Sequence, residues 1–167
     1  MNEQSYDSRT IVYHWSNAAL IVAIWILGQT ADFAAKGTPR NLVWSTHITL
    51  GAILAALWIS RLLWRSSGGR KLEDVGAKGA ARLSGAMHVL LHLNIAAVLV
   101  LGVTAAVAHG KTIWGVFTYP KLIDEGLVEP ITEAHEWAAN LLLLLALAHA
   151  LTALAHQFLL RDGVLGR

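Results

Sequence analysis

Cysteine is absent from the 167-residue chain. That excludes disulfide bonds, iron–sulfur clusters, thiolate zinc sites and covalently attached c-type haem. Charge is scarce as well: Asp, Glu, Lys and Arg make up 14% of the residues, against roughly 25% in an ordinary soluble domain. With 55% hydrophobic residues, the composition excludes disorder and argues against a soluble enzyme. What the chain does carry is eight histidines and seven tryptophans. The histidines need explaining, because an ionisable group inside a bilayer marks a functional site by default.

Four apolar segments, at about 11–30, 43–64, 83–108 and 132–160, interrupt the polar sequence. Each has at least about 20 residues, enough at 1.5 Å per residue to cross a hydrocarbon core of about 30 Å. None alternates in polarity as an outer-membrane strand would, so each reads as a helix that satisfies its own backbone in lipid. The expected fold is an all-α, integral membrane four-helix bundle forming a single domain over residues 1–167. Residues 1–30 do not read as a signal peptide: only Arg9 precedes the apolar run, and His14, Ser16 and Asn17 interrupt it.

Charge orients the spans. The N-terminal segment, the 61–82 connection and the C-terminal segment hold nine cations: Arg9, Arg61, Arg65, Arg70, Lys71, Lys78, Arg82, Arg161 and Arg167. The opposite side holds four: Lys36, Arg40, Lys111 and Lys121. The positive-inside rule then puts both termini of this multi-pass protein in the cytoplasm. The basic residues of 61–82 are accounted for as a cytoplasmic membrane flank, and no nucleic-acid partner is expected. The 109–131 connection, with Pro120 and Pro130, reads as an irregular outer loop with room for a short surface helix.

The histidines sort by depth. His135 and His149 are fourteen residues apart, so they share a helix face about 21 Å apart along the axis. His156, seven residues further on, lies on the same stripe and competes for the deeper position. His14 falls near the cytoplasmic start of the first helix and His47 near the outer start of the second. Two opposed pairs emerge, His47 with His135 and His14 with His149. A bundle interior with two such pairs suits two haems with bis-imidazole ligation, which leaves the iron no open position for oxygen. Gly51, one turn after His47, and Gly102, in the third helix, are candidate points of close approach for a flat ring. Glycine costs about 1 kcal/mol against alanine inside a helix, and small-residue helix packing is the competing account. His88 and His92 form an i, i+4 pair without a third protein ligand, so they read as candidates for supporting contacts or a quinone site rather than zinc.

The order and spacing of these pieces resemble the bacterial cytochrome b561 family, four-helix di-haem proteins of the inner membrane. The matching residues are Val12-Tyr13-His14-Trp15, Thr46-His47-Ile48-Thr49-Leu50-Gly51 and Ser60-Arg61-Leu62-Leu63-Trp64-Arg65. They continue with His88 fourteen residues before Gly102, Ala134-His135-Glu136 with His149 fourteen residues later, and Ala155-His156-Gln157-Phe158. The resemblance covers nearly the whole chain. It implies that His14, His47, His135 and His149 are the axial ligands of two b-type haems, and it favours His149 over His156. It also implies electron exchange with the membrane quinone pool, with ubiquinone as a possible bound partner, and one branch of the family oxidises superoxide. Two departures stand out: Leu99 occupies a position that is often proline, and His92 one that is commonly tyrosine.

Arg61 and Arg65 are candidates to neutralise the propionates of the inner haem, with lipid headgroups as the competing partner. Steering superoxide needs a positive field, but the outer segments pair their four cations with Asp32, Asp124, Glu125, Glu129, Glu133 and Glu136, a net of −2. An acidic outer surface suits a basic periplasmic redox protein, so general quinone-linked electron transfer ranks above superoxide oxidation. A haem-bearing anchor subunit of a larger dehydrogenase or hydrogenase complex is a further alternative. A proton or metal transporter is disfavoured because Leu141-Leu142-Leu143-Leu144-Leu145 and Ile53-Leu54-Ala55-Ala56-Leu57 leave no polar path.

Overall fold

The chain is described by a computed structural model covering residues 5–69 and 78–160, excluding the side chains of residues 78–81 and 160. Arg70, Lys71, Arg161, Arg167 and the Lys78 side chain, used in the charge argument, lie outside the described residues. Four helices dominate: α1 (Ser8–Thr30), α2 (Thr38–Ser67), α3 (Lys78–His109) and α4 (Glu125–Ala155). A 3₁₀ turn, Ala31–Phe33, follows α1, and a π-helical turn, His156–Leu160, extends α4. All four helices are long and apolar enough to cross a membrane, as an all-α membrane bundle requires.

Burial runs opposite to that of a water-soluble protein. The largest fully buried side chains are polar, Asn17 at 1% exposure and Ser45 at 2%. Leu93, Val100 and Trp137 stand largely exposed. So much exposed apolar surface is stable only against lipid or another protein.

Local chemistry sets the helix starts. Asp7 caps α1: its Oδ1 accepts from the Thr10 amide at 2.9 Å, and its Oδ2 accepts from the Thr10 hydroxyl at 2.7 Å. The same carboxylate accepts from Trp64 Nε1 at 3.1 Å, and the Arg9 guanidinium lies 4.8 Å from the Trp64 ring centre. The start of α1 is thereby fastened to the end of α2. Helix α2 begins five residues before the apolar run does, after Gly37 with φ of 93°. Pro39 falls in its first turn, where a missing N–H costs nothing.

Helix α4 likewise begins at Glu125 rather than near 132, and it absorbs Pro130. That proline sacrifices one hydrogen bond to the Gly126 carbonyl, while Glu125 meets the positive end of the helix dipole. The rest of the 109–131 connection differs from the expected loop with a surface helix. Strands β1 (Thr112–Ile113) and β2 (Phe117–Thr118) pair antiparallel, with Ile113 opposite Phe117. Trp114 and Gly115 both have positive φ, 53° and 70°, and the Val116 amide bonds the Ile113 carbonyl at 3.0 Å, as in a type I′ turn. Left-handed backbone costs a non-glycine residue roughly 1–2 kcal/mol. Two bonds to α2 offset it: Trp114 N to Ser45 Oγ and Trp114 Nε1 to Thr49 Oγ1, both 3.0 Å.

Helices α1 and α2 pack closely as one antiparallel hairpin, and α3 and α4 as another, while the two hairpins approach each other sparsely. Besides the bonds from Trp114 to α2, polar cross-links between helices span this seam among the described residues. Trp25 Nε1 donates to Asn140 Oδ1 and Trp58 Nε1 donates to His92 Nδ1, each at 2.9 Å. One end of the bundle holds the α1–α2 and α3–α4 connections. The other, terminal end holds the start of α1 and the end of α4.

Candidate functional site

Two histidine pairs meet at different levels of the bundle. At the connection end His47 of α2 faces His135 of α4, with ring centroids 6.2 Å apart and planes at 80°. Toward the terminal end His14 of α1 faces His149 of α4, at 6.4 Å and 69°. Two imidazoles on opposite sides of one metal, each nitrogen about 2 Å from it, have centroids roughly 6–6.5 Å apart. Both pairs therefore have the separation a bis-imidazole metal demands. Among the described residues no group of three or more His, Cys, Asp or Glu is arranged to hold a metal ion. The histidines form pairs, which suit a metal whose remaining positions a macrocycle supplies.

The connection-end pair has a defined tautomer. His47 Nδ1 lies 3.0 Å from the Ile24 carbonyl and His135 Nδ1 lies 3.1 Å from the Val98 carbonyl. A carbonyl only accepts, so each Nδ1 carries the proton and donates it. Each Nε2 keeps its lone pair for a metal, the pattern metal-ligating histidines adopt. Among the described residues His14 and His149 make no such bond. His88 instead packs its ring against His149 at 5.1 Å, a distance too short for a metal with one nitrogen on each side. Geometry thus favours His14 over His88 as the partner of His149. The charge of Arg61, half-buried, acts on His14, His88, His92 and His149. Arg65 is exposed and lies over the Tyr6 ring at 5.7 Å.

The remaining candidates separate clearly. Gly51 faces open space, with nothing within 4 Å of an added Cβ. At Gly102 an added Cβ would come within 2.9 Å of His135 Cε1, so this glycine makes room for an imidazole. His92 accepts from Trp58 and so serves as a cross-link between hairpins. His109 Nε2 pairs with Thr132 Oγ1 at 3.0 Å. It lines a cleft of about 380 Å³ with Glu125, Glu129, Glu133 and Glu136. His156 opens the π-helical turn beyond α4, one residue past its end.

Reading the sequence missed Gly28, where an added Cβ would meet His47 Cε1 at 3.2 Å. The available signal was a glycine inside an apolar span, the same feature that drew attention to Gly51 and Gly102. It also missed a chain of contacts leading from the surface to His47. Lys111 Nζ lies 4.7 Å from the Trp44 ring centre, and Trp44 meets His47 edge-on at 5.6 Å. Burial holds the Lys111 ammonium below the usual lysine range, against the opposing pull of Asp32.

Comparison with known proteins places this architecture. The model of a family described as prokaryotic cytochrome b561 matches residues 5–167. Cytochrome b562 of Cereibacter sphaeroides is 29% identical over 173 aligned positions, covering 99% of this chain and 95% of the relative. Cytochrome b561 homolog 2 of Escherichia coli K12 is 26% identical over 173 positions, covering 98% and 90%.

Proposed function

Because this chain belongs to the prokaryotic cytochrome b561 family, we propose that it is a di-haem b cytochrome of the inner membrane, passing electrons between two haems to exchange them with the ubiquinone pool. Family membership makes it a multi-pass membrane protein that carries haem b and takes part in electron transfer. The finer reading assigns one haem to His47 and His135 and the other to His14 and His149, with both termini cytoplasmic. The observation that carries it is the pair of opposed imidazoles at each of two levels, with centroids 6.2 and 6.4 Å apart.

Held by His47 with His135, or by His14 with His149, haem would supply one-electron transfer chemistry. The chain does the rest. His47 and His135 present Nε2 because their Nδ1 protons are engaged by carbonyls. Arg61 supplies a cation beside the His14/His149 level, suited to a propionate. Between the two levels the buried Leu54 of α2 and Leu142 of α4 supply apolar side chains, beside the Trp25–Asn140 hydrogen bond, which limits water along the path.

A reduced-minus-oxidised spectrum with haem quantification on purified protein tests the proposal. Two b-type haems per chain are expected, and ubiquinone should reoxidise the reduced protein. A colourless preparation, or one haem per chain, would overturn the assignment.

A further inference from the structure

The two hairpins use one device twice. His47 donates from Nδ1 to the Ile24 carbonyl while its ring lies over Gly28. His135 donates from Nδ1 to the Val98 carbonyl while its ring lies over Gly102. In both, the accepting carbonyl belongs to the residue four before the glycine. That carbonyl is the acceptor for the glycine's own helical N–H, so it serves two donors with its two lone pairs. The ring reaches it only because no Cβ stands between, with added Cβ distances of 3.2 Å at Gly28 and 2.9 Å at Gly102. The same seat thus forms once in α1 for a histidine of α2 and once in α3 for a histidine of α4. At the other level no carbonyl seats His14 or His149 among the described residues; the His88 ring packs against His149 instead, and the Arg61 charge acts on both.

We propose that Gly28 and Gly102 are positioning residues that set the two haem sites apart in redox potential, by holding His47 and His135 against backbone carbonyls. The inference rests on the ligand assignment above. An imidazole that donates from Nδ1 is a more basic ligand through Nε2, and hydrogen bonding around the axial ligand is one of the levers that tune haem potential. A more electron-rich ligand stabilises ferric over ferrous iron. The connection-end haem is therefore the lower-potential centre and the terminal-end haem the higher.

Optical redox titration of purified holoprotein tests this. Wild type should resolve into two components. Gly28→Ala crowds the His47 ring and loosens its bond, so the lower midpoint should rise while the upper one stays. The expected size is about tenfold in the oxidised-to-reduced ratio at fixed ambient potential, roughly 59 mV for one electron. Gly102→Ala, with the tighter approach, should move the same component further. Midpoints that do not move, that move together, or that shift only in the upper component would overturn the proposal.

If the alanine variants lose the connection-end haem, wild type still decides the matter. In the reduced, diamagnetic protein labelled with ¹⁵N-histidine, two of the four ligand imidazoles should show slowly exchanging Nδ1 protons. Four imidazoles exchanging alike would overturn the inference. These outcomes differ from failure of the ligand assignment, which appears as a wild-type preparation without two b-type haems.

Discussion

The two histidine levels are equal in separation and unequal in support. At the connection end the backbone does the holding: carbonyls of Ile24 and Val98 accept from the two imidazoles. Trp44 braces His47, and the β1–β2 turn is fastened to α2 through Ser45 and Thr49. Toward the terminal end the neighbours are side chains: His88 against His149, and the Arg61 charge close by. A backbone seat fixes ring orientation and tautomer independently of any single side chain. A side-chain setting can shift with protonation, ligand or substitution. Under the proposed ligand assignment, the difference suits one fixed haem site and one adjustable site nearer the chain ends.

The strongest way to break this comparison is to remove a ligand from each level. His47→Ala or His135→Ala should each take the protein from two haems to one, sparing the same second haem. His14→Ala and His149→Ala should remove that second haem and leave the first. Haem quantification and spectra of the four variants check this, and a histidine whose loss removes both would merge the levels.

Next in size is a change to the support of the connection end. Ser45→Ala removes the almost fully buried hydroxyl that accepts from the Trp114 amide at 3.0 Å. Losing one such hydrogen bond at the half-exposed Trp114 costs about 0.5–1.5 kcal/mol. Thermal release of haem should come earlier for the connection-end haem than for the other. Equal loss from both sites would mean that the turn steadies the whole bundle.

The smallest effect sharpens the comparison. His88→Ala removes a ring 5.1 Å from His149 and should leave both haems in place. Only the low-spin ferric EPR signal of the terminal-end haem should change. If a haem is lost instead, His88 rather than His14 is the partner of His149.

Much of this was readable from the residues in order. Helical rise and the fourteen-residue interval between His135 and His149 predict two depths, and the histidines of the first two spans fall at matching levels. Periodicity describes one helix at a time, however. It cannot say that Gly28 of α1 lies under His47 of α2, or that His88 reaches His149, because both depend on how separate helices lean together. Apolar runs also understate helix length: α2 and α4 extend into polar sequence at Thr38 and Glu125, where caps and backbone hydrogen bonding count for more than hydropathy. The positive φ of Trp114 was hidden for the same kind of reason. Residue type argues against it, and only the acceptors on α2 offset the strain.

The thin seam between the hairpins bears on how such a protein is made. Each hairpin completes its own backbone hydrogen bonding and most of its close packing, so it can settle in the bilayer as a finished piece. Joining the pieces is then a separate event, favoured by whatever binds both of them at once. His47 from one hairpin and His135 from the other meet across that boundary, as do His14 and His149. Metal ligation would act as mortar as well as chemistry, adding to the Trp25–Asn140 and Trp58–His92 bonds that already link the two halves.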